Sequence, residues 1–199
     1  MKKVYDTINQ YCVEHELLTN GDGIVIGLSG GMDSVCLLQV LAALRNEWQL
    51  RLVCVHVHHG IRGTAADEDA AFAQRLAAKY NISFRLYEMD IPQLAKEQGL
   101  SEEEAGRNYR YRCFEEVRKE LNFDKIAVAH HRDDQAETVL WQILRGSGLR
   151  GVCGMRAGRA NIIRPLLCLD RQQIEQIVRG NGDGWREDAT NREEKYTRN

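Results

Sequence analysis

Two clusters carry the residue types that chemistry needs. The first is Ser29-Gly30-Gly31-Met32-Asp33-Ser34, which follows the apolar run Ile24, Val25, Ile26 and Leu28. Glycines beside hydroxyl groups, at a turn that opens a helix, suit an anion. Helix N-terminal N–H groups are unpaired and the helix dipole favours negative charge there. The second cluster is His130-His131-Arg132-Asp133-Asp134-Gln135-Ala136-Glu137. A bound triphosphate needs a divalent cation, and Mg²⁺ prefers carboxylate oxygens. Asp33, Asp133, Asp134 and Glu137 are the candidates, although an aspartate there also suits a helix cap. A Walker A loop is excluded, because no lysine lies between Lys3 and Lys79. A GxGxxG dinucleotide turn is absent. Gly27-Leu28-Ser29-Gly30-Gly31 does fit GxSxG, with Ser29 as a hydrolase nucleophile. That elbow normally follows several strands, whereas this one follows the first.

The elements that must position these groups alternate. Val4, Ile8 and Cys12 recur at helical spacing. Residues 24–28 read as the first strand, and Val35–Leu44 as a helix buried on more than one side. Arg51–Val57 reads as a second strand, Asp67–Tyr80 as a helix and Ile82–Met89 as a third strand near an edge. Ser101-Glu102-Glu103-Glu104 is a capping box that opens a helix to about Leu121. Lys125–Ala129 is a fourth strand, His130–Asp134 a polar loop, and Ala136, Val139, Leu140, Ile143 and Leu144 mark another helix. Asn161–Leu167 suits a fifth strand, and Asp170 caps a last helix to about Val178. This alternation predicts an α/β fold, a doubly wound, mainly parallel five-stranded sheet of order 3-2-1-4-5. Strands one and four would then be neighbours where the order reverses. Their following loops would face each other across one crevice.

At 199 residues and 43% hydrophobic, the chain can bury one core. The net charge of −2 confines any nucleic-acid surface to a local patch. No apolar run approaches about 18 residues, so no membrane span is predicted, and the N-terminus lacks the apolar core of a signal peptide. Six scattered cysteines without CxxC suit reduced thiols in a cytoplasmic protein. The histidines 56, 58, 59, 130 and 131 lack zinc-site spacing. Arg107, Arg110 and Arg112 alternate with Tyr109 and Tyr111, and Arg107 and Arg110 are the candidates. They suit either substrate contact or a salt-bridged solvent face, since Glu103 and Arg107 stand at i, i+4. From Thr138 to Leu169 there is no acid, while Arg145, Arg150, Arg156, Arg159 and Arg164 are basic. Such a segment suits an RNA backbone or a triphosphate tail.

The SGGMDS stretch resembles the PP-loop of the ATP pyrophosphatases, which cleave ATP between the α and β phosphates. With VHHGIRG (57–63), EEAGRNYRY (103–111), AHHRDDQAET (129–138), LRGSGLRG (144–151), RPLL (164–167) and EDATN…YTRN, the chain resembles the N-terminal domain of the tRNA(Ile)-lysidine synthases. One departure is Gly106, where that family commonly has alanine. A mid-helix glycine costs about 1 kcal/mol. The resemblance implies ATP and Mg²⁺ as cofactors, and L-lysine and a tRNA(Ile) with a CAU anticodon as partners. The implied product is lysidine, formed through an adenylated cytidine. It implies catalytic roles for Asp33, His130, Asp134 and Arg107. ATP contacts fall on Ser29, Gly30, Gly31, Met32, Asp33, Ser34, His56 and His58. Substrate or tRNA contacts fall on Arg110, Glu137, Arg145 and Arg150, and Mg²⁺ on Asp33 and Asp133. Residues 1–180 would form the PP-loop domain, and 181–199 a linker to tRNA-binding modules absent from this chain. A homodimer is left open. Competing readings are another adenylating PP-loop enzyme, such as a tRNA thiolase, and the Ser29 hydrolase.

Overall fold

Branched and apolar residues after Asp22 build β1 (Gly23–Gly27), which lies at the centre of a six-stranded sheet. The structure is a computed structural model that describes residues 2–58, 64–146 and 153–186. Side chains alternate across β1 as a strand requires. Ile24 and Ile26 enter one core layer, and Val25 enters the other. The first layer packs beneath α1 (Lys2–Glu14), α2 (Met32–Leu44), α3 (Thr64–Lys79) and α7 (Arg171–Gly180). The second packs beneath α4 (Ile91–Gln98) and α5 (Glu102–Glu120). Ten residues of α2 are buried, so its apolar residues are not confined to one stripe.

The strands run in the order β3 (Ser83–Glu88), β2 (Arg51–His58), β1, β4 (Lys125–Ala127), β6 (Ile162–Ile163), β5 (Gly158–Arg159). All pairs are parallel except β5 with β6. The five strands read from sequence stand in the predicted order, and β5 is an added antiparallel edge. Its register sets Gly158 opposite Ile163 and Arg159 opposite Ile162. β1 lies between β2 and β4, so the order reverses beside it, and the crevice opens at their carboxyl ends.

Three boundaries differ from the sequence reading. The predicted strand Asn161–Leu167 is only Ile162–Ile163, because Pro165 has no N–H for a ladder and opens a 3-10 turn, Pro165–Cys168. The helix α4 went unread, although Asp90 caps it by accepting from Gln93 N–H and Pro92 lies in its first turn. The loop read at His130–Asp134 is shorter, since α6 spans Arg132–Leu144. Helix α5 runs unbroken through Gly106, with Ser101 Oγ accepting from Glu104 N–H as the capping box requires. The apolar residues of α6 pack less than their spacing predicts. Leu140, Ile143 and Leu144 are exposed by 58%, 53% and 75%.

Beyond α7 the chain does not leave the body at once. The Asp183 side chain is almost wholly buried and accepts hydrogen bonds from Lys79, Tyr80 and Gln39. Asn181 donates to Tyr5 and Gln39. Arg186 then donates its backbone N–H to Gly30 C=O at 2.9 Å, while its guanidinium holds Asp69 and Glu68 of α3. Residues 181–186 are thus a strap across the back of the glycine turn. The remainder of the predicted linker, 187–199, lies outside the described residues.

Candidate active site

The turn between β1 and α2 is held by its own hydroxyls. Gly30 sits at φ +93°, the left-handed region that L side chains rarely adopt. Its N–H donates to Ser34 Oγ at 3.1 Å, and Ser34 Oγ donates to Gly31 C=O at 2.9 Å. Ser29 Oγ accepts from Gly31 N–H and donates to Ser34. The Ser29 hydroxyl is therefore spent on the turn rather than on a histidine, which is not the activated pair a hydrolase needs. Gly31 is the N-cap of α2 and gives no side-chain cap. The first-turn N–H groups of α2 consequently lack the partner that a cap supplies, which favours an anion at this end.

One cavity of about 500 Å³ lies in front of this turn, lined by residues of β1, β2, α2, α3, α5, α6 and the loop after β4. Of the candidates read from sequence, it brings together Ser29, Gly31, Asp33, Ser34, His56, His58, Arg107, Arg110, His130 and Asp134. Gly30 and Met32 belong to the turn without lining the cavity. Asp133 and Glu137 are exposed on α6 and do not line it. Arg145 is exposed at the far end of α6, with its guanidinium over the Trp141 ring at 4.2 Å. Arg150 and most of the HHGIRG and RGSGLRG stretches lie outside the described residues.

His56 is buried, and its Nδ1 lies 2.8 Å from Leu28 C=O. A carbonyl only accepts, so Nδ1 carries the proton and Nε2 keeps its lone pair. Burial lowers the His56 pKa and keeps the ring neutral. His58 Nε2 stands 3.3 Å from the Asp67 carboxylate. His130 is pushed down to about 4, first by burial and then by the Arg164 guanidinium, whose Nε donates to His130 Nδ1 at 3.3 Å. His130 thus enters the site as a neutral imidazole whose Nε2–H is the group left to donate. Arg107 lies over the Tyr111 ring at 5.3 Å. Arg110 is open to solvent within the cavity, yet protein crowds it enough to lower its pKa. Arg107 repels both Arg110 on this wall and the buried Arg164, a cost that an anionic ligand would relieve.

The acidic side faces them. His131 caps α6, with Nδ1 accepting from Asp133 N–H at 3.2 Å. Asp134, at the third helical position, completes the capping box by accepting from His131 N–H at 2.8 Å, while Asp133 supplies no cap. The His131 Nε2 lies 3.5 Å from Asp134 and 3.9 Å from Asp33, which sets the two carboxylates around one imidazole nitrogen. Mg²⁺ takes one or two carboxylates and completes its shell with substrate phosphates and water. Asp33 and Asp134 fit that donor set. Among the described residues no group of three or more histidines, cysteines or acids is arranged to hold a metal alone. Two functional candidates escaped the sequence reading. Asp69 lines the cavity from α3, and Arg171, 138 residues from Asp33, donates to it at 2.5 Å. Nothing local marks either residue.

A family model described as a PP-loop domain matches residues 2–199. The chain belongs to the PP-loop domain family. Over 199 residues it is 47% identical to the tRNA(Ile)-lysidine synthase of Caldanaerobacter subterraneus, covering 100% of this chain and 42% of that protein. It is 36% identical to the tRNA(Ile)-lysidine synthase of Geobacillus kaustophilus, over 98% of this chain and 43% of that one. The PP-loop chain therefore spans about two fifths of the length of the relatives it matches. Among solved structures, a U34-tRNA thiolase from Methanococcus maripaludis with its [4Fe-4S] cluster superposes at TM-score 0.74. Identity is 19%, over 93% of this chain and 64% of the thiolase. An NH3-dependent NAD synthetase from Campylobacter jejuni superposes at 0.60, with 17% identity over 91% and 73%. These two likenesses establish the PP-loop fold alone.

Proposed function

We propose that this PP-loop chain carries the catalytic site for ATP-dependent ligation of lysine to C2 of the wobble cytidine of a tRNA(Ile), giving lysidine, AMP and pyrophosphate. The match along the whole chain to tRNA(Ile)-lysidine synthases carries the reading, and the cavity supports it. Cytosine O2 is a poor leaving group and must be activated. Its attack on the α-phosphate of ATP forms the adenylated base, and pyrophosphate departs. The lysine ε-amine then attacks C2 and AMP leaves.

Each wall of the cavity suits a part of this sequence. The open N–H groups of α2 suit the pyrophosphate. Asp33 with Asp134 would hold Mg²⁺, which neutralises phosphate charge when bound. The neutral His130 would donate Nε2–H to a non-bridging oxygen of the α-phosphate. Arg107 would supply charge beside it, where preorganised donors act most strongly. His56 offers Nε2 as an acceptor to an amino group, such as that of adenine. The lysine ε-amine has a reference pKa of about 10.4 and needs a carboxylate to orient or deprotonate it. Asp134 is inside the cavity for that task, whereas Glu137 is outside. A thiolase reading of the iron–sulfur type has less support, because among the described residues no three cysteines, histidines or acids are grouped to hold a metal.

The test is mass spectrometry of tRNA(Ile) incubated with the protein, ATP, Mg²⁺ and isotope-labelled lysine. The expected result is a labelled lysyl increment on one cytidine, with AMP and pyrophosphate released in equal amounts. AMP release that proceeds equally without lysine, or a sulfur increment, would overturn the reading.

A further inference from the structure

The ion pair between Arg171 and Asp33 joins the first turn of α7 to the first turn of α2 beside the cavity. Arg171 is the first residue of α7, where the helix dipole disfavours a cation. The acid one turn along α7, Glu175, pairs with Arg179 instead. Asp170, beside it, is already committed to the Gln173 N–H and to Arg132. Arg171 therefore reaches across to α2 and donates to Asp33 Oδ1 at 2.5 Å, with about half of its own side chain exposed. Asp33 meanwhile lines the cavity.

A guanidinium and a divalent cation carry like charge and compete for that carboxylate. Mg²⁺ binds oxygen at about 2.1 Å, and neighbouring oxygens of its octahedron are roughly 3 Å apart. A phosphate sharing the ion with Asp33 would lie near the long, half-exposed Arg171 side chain. Arginine also matches phosphate geometry with paired N–H donors. We propose that Arg171 is a transferable phosphate-binding residue: it neutralises Asp33 in the empty site and moves to the pyrophosphate oxygens when the metal takes Asp33. The inference rests on the ATP reading above. It makes the empty site a poor metal binder and couples metal entry to the phosphate.

Calorimetry on the 199-residue chain, its Arg171→Ala variant and its Arg171→Lys variant separates the possibilities. The probes are Mn²⁺ alone and inorganic pyrophosphate with Mg²⁺. Loss of a charge-assisted contact changes affinity by roughly tenfold or more. Arg171→Ala should bind Mn²⁺ alone more tightly, because its competitor is gone, and should bind magnesium pyrophosphate about tenfold more weakly. Arg171→Lys should lie between on both probes. If both affinities fall together, Arg171 only positions Asp33, and unchanged pyrophosphate affinity would leave it no phosphate contact. Either result overturns the proposal. A wild-type chain that ignores magnesium pyrophosphate would remove the ATP reading itself, and this inference with it.

Discussion

His130 links a site geometry to a measurable pH effect. Its pKa falls from the ordinary 6.5 to about 4, through burial first and Arg164 second. The unfolded chain therefore binds a proton between those values that the folded chain refuses. Stability from this residue is complete above about pH 6.5 and is lost as pH falls toward 4. The scale is at most about 3 kcal/mol. Denaturant unfolding at pH 7 and pH 4.5 should show a smaller acid loss for His130→Asn than for wild type. Equal losses would mean that His130 is not held neutral. Gly30 gives a second residue-scale expectation. An alanine at φ +93° costs about 1–2 kcal/mol of backbone strain, and it would disturb the N–H groups proposed to hold the phosphates. Gly30→Ala should lower both the unfolding midpoint and ATP affinity, while Gly31→Ala, at φ −70°, should lower stability less. Serine, glycine and aspartate in this turn were legible because one local pattern holds them. Arg171 and Asp69 were not, because only the folded chain brings them to Asp33 and the cavity.

At the scale of elements, the strap from Asn181 to Arg186 ties the last helix to the glycine turn. Burial alone would raise the Asp183 pKa, and the hydrogen bonds from Lys79, Tyr80 and Gln39 outweigh it and hold the carboxylate ionised. Asp183→Asn removes the charge that these donors serve, a loss of roughly 2–3 kcal/mol. For a domain of this size, that is a fall in Tm of about 4–12 °C. Because Arg186 N–H holds Gly30 C=O, the variant should also bind ATP less tightly. A thermal melt and an ATP titration check the two halves, and an unchanged melt would show that the strap is not an anchor. The long elements were legible from period and caps, as in Ser101 for α5 and Asp170 for α7. The short ones were not. A two-residue strand such as β5 has no period to read, and the eight-residue α4 offers only Ile91, Leu94 and Ala95 as an apolar face.

For the whole molecule, the charge is nearly balanced, yet the cavity wall that carries Arg107 and Arg110 is cationic. The cavity of about 500 Å³ suits a nucleotide and one flipped base. It does not span a tRNA, and reading one tRNA needs contacts far from the anticodon. The 199-residue chain should therefore bind ATP with Mg²⁺ unaided, and bind tRNA weakly with little preference for tRNA(Ile). What phosphate contact it makes should come partly from the acid-free arginine segment. Arg145 is exposed at the end of α6 and rests on the Trp141 ring, which leaves its guanidinium near solvent for a phosphate. Removing one phosphate contact to single-stranded RNA lowers the salt slope by roughly 0.7. Titrations of cognate and non-cognate tRNA at several salt concentrations test both statements, with Arg145→Ala as the variant. A slope unchanged by that substitution would return Arg145 to an ordinary solvated surface. Tight binding selective for tRNA(Ile) would move the recognition surface onto the PP-loop domain itself.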